Sequence, residues 1–175
     1  MLKNSFNKNG PMLKWLWLAL IVIVFDQLTK QIASSVLEMY QPVEVMPMFN
    51  WTLMHNTGAA FSFLRDAGGW QRWFFTAVAI VVSTVLVAWT SKLKSDEKWQ
   101  AVAFALIMGG AIGNVIDRLV YGYVIDFIEV YYKQWHWPAF NVADSAIFVG
   151  VAILLIESFR QHKGEDADEG EVRNG

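Results

Sequence analysis

The chain has 175 residues, enough for one domain, and is 55% hydrophobic but only 17% charged, against roughly 25% charged in soluble domains. Its net charge of -2 hides a clustered distribution, and no broad basic surface points to nucleic acid as a partner. The absence of cysteine excludes disulfides, thiol nucleophiles and cysteine metal sites.

Lys3, Lys8 and Lys14 precede the first apolar segment, "WLWLALIVIVF" (Trp15 to Phe25), which stays mostly apolar to Ala33. No small-x-small cleavage site follows closely, and Asp26 and Lys30 stand at its far end, so it is read as a retained span and not a cleaved signal peptide. The stretch from Ser34 to Gly69 is apolar and aromatic, with "NTG" and "DAGG" as turn signals. Trp51, Leu53 and His55 alternate with Thr52 and Met54, which predicts a short strand-like element on the membrane surface. Such a surface either cradles something amphiphilic or simply packs on the helix ends.

Three further apolar segments run from Trp73 to Trp89, Trp99 to Ile116 and Ala139 to Ile156. Each approaches the roughly 20 residues a helix needs to cross hydrocarbon. The second and fourth lack the polar stripe of a soluble bundle helix. Trp15, Trp17, Trp73, Trp89, Trp99, Trp135 and Trp137 lie near segment ends, where indoles favour the interface. The expected fold is therefore an all-α membrane protein. It has four transmembrane helices, at about 13–33, 70–90, 99–119 and 139–159, with a small β-like element between the first two. Residues 1–163 form a single membrane domain, and the polar tail 164–175 is expected to be disordered and cytoplasmic.

Lys92, Lys94 and Lys98 join spans two and three, and Arg160 and Lys163 follow span four, whereas the other two connections are poor in positive charge. The positive-inside rule then puts both termini in the cytoplasm and the two longer connections outside. With that topology the polar residues of the spans collect at one level, near the outer face. They are Asp26 and Lys30 in span one, Asn114, Asp117 and Arg118 in span three, and Asn141, Asp144 and Ser145 at the start of span four. Ionisable residues inside spans are expensive and therefore candidates for function.

Gly110, Asn114 and Asp117 share a helix face, as do Asn141, Asp144 and Ser145. Gly109, Gly110 and Gly113 allow a neighbouring helix to approach closely. Asp26–Lys30 and Asn114–Asp117–Arg118 each supply an acid with a nearby base, which favours a bundle-gluing role. Asp126 and Asp144 differ, because neither has Lys or Arg within four residues. Two carboxyls meeting in a dry site share a proton, which supplies a general base and a general acid at one pH, as in aspartic proteases. A proton relay and a structural hydrogen-bonded pair remain alternatives. Ser62, Ser83, Ser91 and Ser145 lack a nucleophile-elbow context, and His55, His136 and His162 lack ligand spacing. Glu129 is read as a surface acid.

Four pieces resemble the lipoprotein signal peptidase (signal peptidase II) family: "DQLTK" at Asp26–Lys30, "HNTGAAFSFL" at His55–Leu64, "GGAIGNVIDRLVYGYVIDFI" at Gly109–Ile128 and "FNVADSAI" at Phe140–Ile147. They occur in the family's order and spacing across nearly the whole chain. The resemblance implies an intramembrane aspartic peptidase of the bacterial inner membrane. Such an enzyme removes the signal peptide from prolipoproteins by cutting before a diacylglyceryl-modified cysteine, with its active site near the outer face. It implies Asp126 and Asp144 as the catalytic pair. Asp26, Lys30, Asn56, Gly58, Ala59, Phe61, Gly110, Asn114, Asp117, Arg118 and Asn141 are the other motif positions. Asn56 and Asn141 are expected to hold the substrate backbone, and Asp117 and Arg118 to fix helices or shape the site. Neither metal nor organic cofactor is implied; the expected partners are lipidated prolipoproteins and membrane lipids, with a monomer sufficient. The rivals are a small proton or ion transporter, for which the inner halves of the spans offer no polar path, and a structural subunit that binds a partner helix.

Overall fold

The computed structural model describes residues 12–58 and 68–174, with the side chains of 161–174 excepted. A short 3-10 turn, Met12–Trp15, leads into helix α1, Leu16–Val36. Helices α2 (Gln71–Thr90), α3 (Lys98–Val120) and α4 (Val142–Asn174) follow. Met12–Val36, Gln71–Thr90, Lys98–Val120 and Val142–Arg160 are each long and apolar enough to cross a bilayer, since 20 residues rise about 30 Å. The expected four helices are present. Helix α4 continues as backbone to Asn174, through the polar residues expected to lack fixed structure; an existing helix propagates more easily than one nucleates.

Helix α3 is central and mostly buried, in contact with α1, α2 and α4, whose outer sides expose Leu20, Ile21, Val81, Phe148 and similar residues as lipid-facing surface would. The close packing comes from glycine. A Cβ on Gly109 would lie 2.7 Å from Val22 Cβ on α1, and one on Gly113 would lie 2.6 Å from Asp26 Oδ2. Trp17, Trp73, Trp89 and Trp99 are exposed near helix ends, in keeping with interfacial anchoring.

At one end of the bundle sits a four-stranded antiparallel sheet in the order β1 (Val43–Met46), β2 (Phe49–Asn56), β3 (Val124–Tyr132), β4 (Trp135–His136). The expected element between α1 and α2 is thus real, but it is only half the sheet. Strand β3 escapes sequence reading because Val124 to Phe127 are all buried, so no polar alternation marks it. Gly122, at φ 87°, ends α3 in the left-handed conformation and launches β3 at once. The predicted alternation of β2 also fails part-way. Trp51 faces Ile128, but Met54, not Leu53, faces Asp126, because β2 carries an irregular extra residue there.

Candidate active site

Asp126 sits near the start of β3, and Asp144 in the first turn of α4. Two backbone features hold these elements together. Phe140, just before α4, exchanges N–H···O bonds with Ile128, of 2.9 and 3.0 Å. Asn141 then caps α4 by accepting the Asp144 N–H on its side-chain oxygen at 2.9 Å. The apolar span predicted from 139 therefore begins as helix only at Val142.

Asparagines connect the two carboxylates. Asn141 Nδ2 donates to Asp126 Oδ1 at 2.7 Å and to Asn114 Oδ1 at 3.2 Å. Asn114 Nδ2 donates to Asp144 Oδ1 at 2.7 Å. On the other side, Asn56 Nδ2 donates to Asp126 Oδ2 at 3.0 Å. Asp126 is 2% exposed. Burial and the nearby Asp144 charge push it up to about 7, while the Asn56 and Asn141 bonds and the Lys30 charge pull it back. The pair that the sequence left without local bases thus meets in one hydrogen-bonded unit.

Lys30 lies beneath this unit with no exposure. Its ammonium reaches Asp26 Oδ2 at 2.8 Å, Asp117 Oδ2 at 2.9 Å and Asn114 Oδ1 at 3.0 Å. Asp117 also accepts the Ile125 N–H at 3.0 Å, and Asp26 the Ala143 N–H at 2.8 Å. The acids beside the pair therefore fix the backbone next to Asp126 and Asp144. Gly110 faces Ala143 and Ile147 at the same junction. Among the described residues, no group of three or more His, Asp or Glu side chains is arranged to hold a metal ion.

A family model, Signal peptidase (SPase) II, matches residues 18–160, which carry all of these groups. The chain belongs to the signal peptidase II family. It is 51% identical over 165 residues to a lipoprotein signal peptidase of Alteromonas mediterranea, covering 94% of this chain and 90% of the relative. The corresponding Pseudomonas putida protein is 56% identical over 156 residues, covering 88% and 91%. A solved bacterial membrane enzyme superimposes with a TM-score of 0.78 at 32% identity, covering 86% of this chain and 90% of that one.

The remaining positions that the signal peptidase II resemblance singles out have distinct places. Arg118 Nη2 donates to Gly58 O at 3.2 Å, and the Gly58 N–H donates to Asn56 Oδ1 at 3.0 Å. Arg118 thereby steadies the turn that aims Asn56. Asn141 already engages its amide within the protein. Ala59 and Phe61 lie outside the described residues.

Two residues were missed by sequence reasoning. Gln27 Nε2 bridges Asp117 Oδ1 at 2.9 Å, Gly113 O at 3.1 Å and Asp26 Oδ2 at 3.2 Å. Its signal was available, as a polar residue at the depth of Asp26. Glu129, read as a surface acid, is instead 6% exposed and hydrogen-bonded to three side chains.

Proposed function

We propose that this peptidase is of the aspartic type, with Asp126 and Asp144 as its reacting pair. The observation that carries the proposal is the continuous Asp126–Asn141–Asn114–Asp144 hydrogen-bond chain, buried up to the partly exposed Asp144. Two such carboxyls keep one proton between them, and that proton belongs to the pair. The ionised member takes a proton from water as its oxygen attacks the scissile carbonyl carbon. The protonated member gives its proton to the carbonyl oxygen. When the tetrahedral intermediate collapses, the proton now held by the pair passes to the leaving amine nitrogen, a hydroxyl proton of the intermediate passes back to the other carboxylate, the C–N bond breaks, and the pair again holds one proton.

The relatives' names support prolipoproteins as substrates. The bond cut is the one before a diacylglyceryl-modified cysteine, as the family resemblance implies. Such a substrate is a transmembrane signal peptide joined to acyl chains, so it enters sideways from the bilayer. Lys92, Lys94 and Lys98, at the end of the bundle away from the sheet, support placing that end in the cytoplasm and the pair at the outer face of a bacterial inner membrane. Asn56 is the polar group best placed to touch the substrate backbone, and a monomer contains every group used.

The test is cleavage of a synthetic diacylglyceryl lipobox peptide by the purified chain in detergent. Mass spectrometry should find a new amino terminus at the modified cysteine. An intact peptide under conditions where the chain is folded would rule the activity out.

A further inference from the structure

Glu129 follows Asp126 by three residues on β3 and takes no part in the proposed chemistry. Its Oε2 accepts Thr52 Oγ1–H at 2.5 Å and Asn50 Nδ2–H at 3.2 Å, and its Oε1 pairs with His136 Nδ1 at 2.8 Å. A carboxylate this buried is tolerated because its lone pairs are filled by donors. The three donors come from β2 and β4, so one side chain ties three strands.

Thr52 is the informative partner. Between Trp51, opposite Ile128, and Met54, opposite Asp126, β2 advances three residues while β3 advances two. Thr52 and Leu53 form that irregular step. Side chains alternate along a strand, so one extra residue inverts the face of everything beyond it. In unbroken register Leu53 and His55 would share Asp126's face, and Asn56 would turn away. With the bulge, Met54 and Asn56 share it, and Asn56 reaches Asp126. Leu53 O accepts the Tyr40 N–H at 3.0 Å, which holds the bulge by its backbone; Glu129 holds it by the Thr52 side chain.

We propose that Glu129 is a positioning residue for the peptidase reaction: by gripping Thr52 and Asn50 it pins the β2 bulge, and the bulge delivers Asn56 to Asp126. The inference rests on Asp126 being one of the reacting pair. It assigns a role to Glu129, Thr52 and Asn50, none of which belongs to the family motif pieces.

The experiment uses the full chain in detergent with the diacylglyceryl lipobox peptide, measuring kcat and KM across pH. The variants are Thr52→Val, Glu129→Leu, Asn56→Ala and their doubles. Thr52→Val is isosteric and charge-neutral, so it decides the matter if Glu129→Leu does not fold. Thr52→Val and Glu129→Leu should each lower kcat about fivefold or more with little change in KM, the size expected for one hydrogen bond. In the Asn56→Ala background neither should lower it further, because the bond through which they act is already gone.

The pH profile adds a second readout. Asp126 is faced by Asp144 from α4, Arg118 from α3 and Lys30 from α1, besides Asn56 and Asn141. The Asn56 bond favours its ionised form, so losing that bond should move the alkaline limb of activity upward in both variants. Deleting the Glu129 charge alone would move the limb down. Thr52→Ser, which keeps the hydroxyl, should restore both kcat and the limb. Effects that multiply in the doubles, or an unmoved limb, overturn the inference. An active Asp126→Asn variant would instead overturn the reading of the pair on which it rests.

Discussion

Among the described residues, Lys30 is the one cation in contact with the buried Asp26 and Asp117, and replacing it with Met removes that charge while nearly preserving side-chain volume. Lys30, Asp26 and Asp117 are each 0% exposed, and all three ammonium protons have acceptors, at 2.8, 2.9 and 3.0 Å. Breaking a buried pair from one side costs about 3–5 kcal/mol, because the orphaned charge stays in the dry interior. Here two carboxylates are orphaned, so the upper part of that range applies. At about 2–4 °C per kcal/mol for a chain of this size, the melting midpoint in detergent should fall by roughly 10 °C or more. The triple variant with Asp26→Asn and Asp117→Asn should regain most of that loss, since neutral groups of similar shape replace the whole triad and still accept the Ala143 and Ile125 N–H bonds. Differential scanning fluorimetry reads both quantities. A Lys30→Met midpoint within 2 °C of the parent, or a triple variant no better than the single, would show that the triad does not hold the bundle as the distances indicate.

Three further outcomes follow from the same geometry. If the proposed pair works through one shared proton, cleavage should decline as pH rises through about 7, where Asp126 loses its proton; a flat rate up to pH 9 would contradict this. The folded chain binds that proton more tightly than the unfolded chain, whose Asp titrates near 3.8. Asp126 is therefore neutral in its effect on stability below pH 4 and costs on the order of 4 kcal/mol above pH 7, so the melting midpoint should fall across that interval. Gly113→Ala should cost about 1–3 kcal/mol by overpacking, since the added Cβ would sit 2.6 Å from Asp26 Oδ2; an unchanged midpoint would show that α1 yields freely at that contact.

The bundle was legible because the length and apolarity of each segment are themselves the requirement for crossing a bilayer. The polar level was legible for the same reason: in spans this greasy, Asp26, Lys30, Asn114, Asp117 and Asp144 stand out one by one. Their mutual contacts were legible only in outline. Spacing put Asn114 and Asp117 on one face, but Lys30 choosing both Asp26 and Asp117 depends on how closely α1 and α3 pack. Strand β3 was hidden because its first four residues, Val124 to Phe127, are buried on both faces, and Asp126 reads there as an acid in an apolar run. The bulge in β2 was hidden more deeply. Alternation defines two faces, but an inserted residue that swaps them leaves no mark in composition, so Asn56 could be named without the register that brings it to Asp126. Glu129 was misjudged because its partners, Asn50, Thr52 and His136, lie on other strands.

The most direct test replaces each member of the pair in turn. Asp126→Asn and Asp144→Asn keep shape while removing the carboxyl that gives or takes a proton in the proposed reaction. Each variant should elute from size exclusion as the parent does, yet cleave the diacylglyceryl lipobox peptide at least about a thousandfold more slowly, the scale on which removing an essential acid–base group acts. Parent-like cleavage by either folded variant would show that the chemistry does not run through Asp126 and Asp144.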